Sequence, residues 1–162
     1  MFKAISYFGM MALAMSTSVN ANASHITSTA NPLELSGPAS LGLNICDLVL
    51  TAYLGTTSST YDTITHITGY NEATSPSIDC LDITIVGGYG YVSPTGVAIQ
   101  ELVLHSPMFP TPGNLCATGA FGAPATNISA TQVQVNVGTV TVCGPISASL
   151  NSDPSESVQY YP

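Results

Sequence analysis

Cationic side chains are almost missing from this sequence. Lys3 is the only lysine or arginine among 162 residues, against nine carboxylates and a formal net charge of −8. Nucleic-acid binding depends on Lys and Arg displacing counterions from phosphates, so that class of partner is excluded. Ordinary salt bridges are excluded with it. Glu34, Asp47, Asp62, Glu72, Asp79, Asp82, Glu101, Asp153 and Glu156 must each sit in water, accept a turn or cap hydrogen bond, meet a histidine or hold a cation. Trypsin-like proteases find nothing to cut beyond Lys3. Charged residues make up only 6% of the chain, so the polar surface must come from Ser and Thr hydroxyls. A weakly charged surface resists self-association less than a heavily charged one.

A membrane-spanning run is missing too. The uncharged stretch from Ala4 to Val19 follows Lys3, but it falls short of the roughly 20 apolar residues that cross a bilayer, and Ser16, Thr17 and Ser18 dilute it. It ends at Ala21-Asn22-Ala23, a small-residue site of the kind a signal peptidase reads. The expectation is a cleaved signal peptide over 1–23 and a secreted or cell-surface domain over 24–162, with no transmembrane segment in the mature protein. No cysteine follows the cleavage point, so lipid attachment there is not expected. The remaining length suits one domain. Its N-terminal arm, 24–32, and its tail, 151–162, are expected to be flexible.

No C-x-x-C knuckle occurs, and the wide spacing of Cys46, Cys80, Cys116 and Cys143 is unlike a zinc site. An even set of cysteines in an exported chain points instead to two disulfides. Three connectivities are open. Cys46–Cys80 with Cys116–Cys143 is preferred because each pair then closes one half of the chain. Loops of that size contribute at most roughly 3.5 to 4 kcal/mol each.

Helical periodicity is hard to find after residue 24. Short runs of β-branched, aromatic and other apolar residues alternate with polar ones, predicting an all-β, antiparallel sandwich or barrel-like domain. The expected strands are Leu33 to Ser36, Leu43 to Leu54, Tyr61 to Tyr70, Ile78 to Val86, Tyr89 to Val92, Val97 to His105, Ile128 to Val137 and Val140 to Ser149. In the second, Cys46, Leu48, Leu50, Ala52 and Leu54 share one face, expected to be core. Turns are expected at Gly37-Pro38, Gly55 to Ser59, Ser75-Pro76, Gly87-Gly88, Ser93 to Gly96 and Gly138, and loops at Ser106 to Asn114 and Gly119 to Pro124.

Residues of the types that carry chemistry do not converge in the sequence. Ser59, Asp62 and His66 include the members of a hydrolase triad, but Asp62 and His66 on one strand would lie about 13 Å apart. Gly37 to Gly42 resembles a nucleophile elbow with Pro38 in place of its first glycine. His25, His66 and His105 are scattered. Glu72, Asp79 and Asp82 could offer oxygens to calcium, without a recognised loop spacing. No catalytic residue, metal or cofactor is therefore expected. Asn127-Ile128-Ser129 is a glycosylation sequon. The pair Met108 and Phe109, held between Pro107 and Pro110, reads either as a hydrophobic contact tip or as a cap over the core. Gly87-Gly88-Tyr89-Gly90-Tyr91 reads either as a hairpin with packed tyrosines or as a contact surface.

The order of several short pieces resembles a known family. Leu35-Ser36-Gly37 precedes Cys46-Asp47-Leu48, and Ile67-Thr68-Gly69 precedes Cys80. Gly96-Val97-Ala98-Ile99 then precedes the Pro107 loop, with Leu115-Cys116-Ala117 and Val142-Cys143-Gly144-Pro145-Ile146 beyond it. Together they resemble the PraB-type secreted activators of alkane oxidation. That resemblance implies a non-catalytic extracellular accessory protein linked to hydrophobic substrates and biofilm, whose partners are a hydrophobic surface or further copies of itself. A fimbrial, pilin-like subunit is the alternative, suggested by size, strands and the ending Val158-Gln159-Tyr160-Tyr161-Pro162. Pilins usually carry one disulfide, and His25 to Asn31 makes a poor donor strand. A secreted hydrolase is the remaining alternative.

Overall fold

The computed structural model describes residues 23–57, 61–72, 76, 80, 82–141 and 143–162. Nearly all of the expected leader, together with Ser59 and Asp79, lies outside the described residues. The strands are β1 (His25–Thr27), β2 (Leu33–Leu41), β3 (Asn44–Thr57), β4 (Asp62–Asn71), β5 (Thr84–Ser93), β6 (Gly96–His105), β7 (Leu115–Ala117), β8 (Phe121–Asn127), β9 (Val133–Val140), β10 (Ile146–Ser152) and β11 (Gln159–Tyr161). No α-helix occurs among the described residues.

The expected choice between sandwich and barrel is decided by closure. The sheet runs β5-β4-β3-β2-β10-β9-β8-β6, and β6 pairs back onto β5 to complete an eight-stranded antiparallel barrel. β7 adds to the far end of β6, pairing Val103 to His105 with Leu115 to Ala117. Closure leaves no free edge in the ring.

Alternation decides which side is inside. In β2, Leu33, Leu35, Ala39 and Leu41 are buried while Glu34, Ser36 and Pro38 are exposed. Val133 and Val135 of β9 and Leu150 of β10 point into the same core. The expected inward face of β3 holds as well: Cys46, Leu48 and Ala52 are buried, and Leu50 and Leu54 pack against them. On the outside, Gln134 donates to Asn151 at 3.0 Å, Asn136 to Gln134 at 3.2 Å, and Ser149 to Asn136 at 2.9 Å. Amides and hydroxyls thus supply the polarity that charges do not. A lipid-facing barrel turns its apolar side outward, the reverse of this pattern.

Several expected breaks are strand instead. β2 continues through Gly37-Pro38, because Gly37 adopts φ +154° and lets the oxygen of Ser149 approach to 2.3 Å from where a Cβ would sit. Pro38, which has no N–H to give, falls where the β2–β10 register skips from Ala39 to Ser36. Gly87-Gly88 is not a turn either. It lies inside one strand, β5, with a register shift against β6 between Ile85 and Gly87. Likewise, the expected loop at Gly119 to Pro124 contains the start of β8, and Pro124 is tolerated because the β8–β9 ladder begins only at Ala125. Further along, β9 begins at Val133 rather than Ile128 and runs past Gly138 to Val140, so β10 is displaced to Ile146–Ser152.

The two ends, expected to be loose arms, pair with each other as β1 and β11. Ile26, Val158 and Tyr160 are buried in the core. The ring of His25 stacks on Tyr161 at 4.6 Å, and the Tyr160 hydroxyl donates to the Ser93 carbonyl at 2.6 Å. This ribbon covers one end of the barrel, beside the β5–β6 turn.

Candidate functional site

The other end gathers the β2–β3 turn, the β4–β5 connection, the β6–β7 connection and the β9–β10 connection, as an antiparallel ring requires. Both disulfides sit there. Cys46–Cys80 ties β3 to the β4–β5 connection with Cα atoms 5.7 Å apart, and Cys116–Cys143 ties β7 to the β9–β10 connection at 5.8 Å. These are the preferred pairs, and both separations suit an unforced disulfide. Paired cysteines are compatible with an extracellular protein.

Several apolar side chains project from this end, among them Leu43, Met108 and Leu115 on its connections and Ile45 beside the β2–β3 turn. Leu41 pairs with Asn44, leaving Gly42 and Leu43 as a two-residue turn. Gly42 takes φ +68°, the positive angle a glycine-first hairpin turn needs, and Leu43 is fully exposed at 101%. The Gly42 N–H is fixed by the Pro145 carbonyl at 2.8 Å. Met108 is 60% exposed and Leu115 40%.

The β6–β7 connection is folded on buried Ser106. The N–H of Phe109 donates to the Ser106 carbonyl at 3.0 Å, that of Met108 to the Ser106 hydroxyl at 3.3 Å, and that of Ser106 to the Asn114 carbonyl at 3.0 Å. The hydroxyl of Thr111 also donates to the Leu115 carbonyl. Consequently the two readings of the Met108-Phe109 pair divide between its members. Phe109 turns down and packs against the core, whereas Met108 faces solvent. Below them lies an apolar mouth of about 100 Å³, lined by Leu41, Ile83, Leu104, Phe109, Cys143 and Ile146 among others.

Leu43 and Leu115 were not distinguishable as surface residues in the sequence, where Leu43 reads as the first residue of a strand. The signal lay in Leu41-Gly42-Leu43-Asn44, which fits a two-residue hairpin with glycine first.

The other candidates separate. Asp62 is buried, and its carboxylate accepts the Ile26 N–H at 3.0 Å, pinning β1 to the barrel. His66 is exposed on the outer face, with its ring 6.0 Å from Tyr53. These two do not meet, and Ser59 lies outside the described residues. Gly37 to Gly42 is the second half of β2 and its turn rather than a strand-to-helix elbow. His25 stacks on Tyr161, while His105 pairs with Thr84 and Leu115 at the end of β6. Glu72 and Asp82 are both exposed, and among the described residues no three His, Cys, Asp or Glu side chains gather as metal ligands.

The sequon residue Asn127 uses its side chain to hold β11. Its amide donates to the Tyr160 carbonyl and accepts the Tyr160 N–H, both at 2.8 Å. Tyr89 is exposed opposite Glu101, and Tyr91 packs 5.0 Å from Tyr61. Val158 to Tyr161, the segment a pilin-like subunit would present to a neighbour, belongs to the ribbon of its own chain.

Titration shifts concentrate at the ribbon end. Burial raises the Glu156 carboxyl above its ordinary range, opposed by the Glu34 N–H and reinforced by the charges of Asp153 and Glu34. The Ser155 hydroxyl, then the Ser155 N–H, lower Asp153. Burial raises the Tyr160 phenol. No helix among the described residues is long and apolar enough to cross a membrane. The chain matches no family model, no curated protein and no solved structure.

Proposed function

We propose that this is a secreted, non-catalytic surface or matrix protein that makes contact with hydrophobic material through its disulfide-bonded end. The observation that supports this reading is the trio Leu43, Met108 and Leu115, exposed on connections that two disulfides and the Ser106 hydrogen bonds hold in place. Apolar side chains on fixed tips cannot fold away into the core, so water contact is relieved only when something apolar arrives. The resemblance to secreted activators of alkane oxidation fits the same role, aiding contact with hydrophobic substrates or building a biofilm matrix. Scarce surface charge would let neighbouring copies pack on such a phase.

Adsorption to hexadecane droplets tests the reading. Burying a Leu or Met side chain contributes about 1.5–3 kcal/mol, so Leu43→Ser with Met108→Ser should lower droplet affinity at least about tenfold and leave the unfolding midpoint nearly unchanged. Ile128→Ser, in the turn at the ribbon end, should have no effect on adsorption. Equal adsorption by all three proteins would remove the proposal.

A further inference from the structure

We infer that the barrel interior is itself a binding site, for a short, uncharged, unbranched aliphatic chain that enters at the mouth beside Phe109. This goes beyond the surface role, since it concerns the inside of the barrel. The mouth of about 100 Å³ shares Leu41, Leu104 and Ile146 with a void of about 30 Å³ beneath it. That void in turn shares Leu50, Leu102, Phe121, Val137 and Leu150 with a deeper one of about 50 Å³. The three spaces therefore lie in series from the disulfide end into the core.

No polar atom faces either interior void. Water needs two to four polar partners to occupy a cavity, so these voids are dry, and dry apolar cavities take up apolar guests. An eight-stranded barrel has an interior wide enough for side chains or for one small ligand. If a methylene is taken as similar to water's share of liquid volume, about 30 Å³, the series suits a chain of roughly four to six carbons. Three small spaces that meet only through shared walls favour an unbranched guest over a ring. Charge sets the last requirement. With Lys3 the only lysine or arginine, a carboxylate head group would find no ammonium or guanidinium partner in the barrel, and Asp82 is exposed next to Ile83 of the mouth.

Methyl NMR of the oxidised protein, titrated with n-hexane below its solubility limit, tests the assignment. Saturable shifts are expected at Leu50, Val97, Ile99, Val135 and Leu150. Ala52→Val or Ala123→Val, each filling the deep void, should weaken them at least about tenfold, and Ile128→Ser, at the ribbon end, should leave them in place. 1-Hexanol should bind at least about tenfold more tightly than hexanoate, and n-hexane more tightly than cyclohexane. The unsubstituted protein decides the matter even if a filled variant fails to fold. Absence of saturable interior shifts, or shifts confined to Leu43, Met108 and Leu115, would overturn the internal site while leaving the surface reading standing.

Discussion

At the scale of single residues, the fold depends on a few positions where chemistry admits no substitute. Gly37 is the clearest. Its φ of +154° and the Ser149 oxygen 2.3 Å from a would-be Cβ mean that any side chain must both strain the backbone and push β10 away. Gly37→Ala should therefore cost at least about 2 kcal/mol in urea unfolding. Gly138→Ala, where nothing lies within 4 Å, should stay within about 0.5 kcal/mol.

Glu156 gives a prediction in pH. Its folded-state pKa is raised, so its contribution to stability is intact at low pH and is lost as pH rises through that value. Asp153 has the opposite sign: its pKa is lowered, so its contribution is present above the ordinary carboxylate range and lost as pH falls through the lowered value. Glu156→Gln should accordingly be slightly more stable than the parent at pH 7, by under about 0.5 kcal/mol for so solvent-screened a site. The difference should vanish at pH 3. A gain that persisted there would show that packing, not charge, is responsible.

At the scale of elements, legibility followed the hydrophobic pattern and failed where backbone geometry overrode it. β3 was readable because Cys46, Leu48, Leu50, Ala52 and Leu54 alternate without interruption, and β6 because Val97 and Ile99 resume as Leu102 and Leu104 across a single register shift. β2, β5 and β8 were truncated or missed because Gly37-Pro38, Gly87-Gly88 and Pro124 look like stops. Each is instead absorbed where a ladder bond is skipped or a bulge lets a neighbour come close. The ribbon was hidden for another reason. Ile26 and Tyr160 lie in short segments whose burial depends on partners at the far end of the chain, and no local pattern reports that.

The disulfides were legible from cysteine parity and the export signal. Their convergence on one end was not, since it follows from barrel closure. Met108 was visible in the sequence as half of a proline-bounded pair. Leu43 and Leu115 join it at one end only once the β2–β3 and β6–β7 connections are brought together by the closed ring. Replacing Cys46 and Cys80 together with Ser should cost about 2–5 kcal/mol, measured by urea unfolding against the oxidised parent. A loss below about 1 kcal/mol would mean that the β4–β5 connection is held without the bond.

At the scale of the whole molecule, the barrel has two different ends. One is covered by the β1–β11 ribbon, where Val158 and Tyr160 are buried and Asp62 accepts the Ile26 N–H. The other is cross-linked, apolar and turned toward whatever lies outside. Between them the outer wall mixes hydroxyls and amides with exposed Tyr53, Tyr70 and Tyr89, so on the proposed reading it is the cross-linked end, with its fixed tips, that should meet an oily phase first.

Hydrogen exchange on the oxidised protein adsorbed to hexadecane droplets measures that polarity directly. Amides of 42–44 and 106–116 should exchange more slowly on the droplet than in solution, while those of 93–96 and 128–132 keep their solution rates. Protection at the ribbon end, or uniform protection around the barrel, would contradict the account.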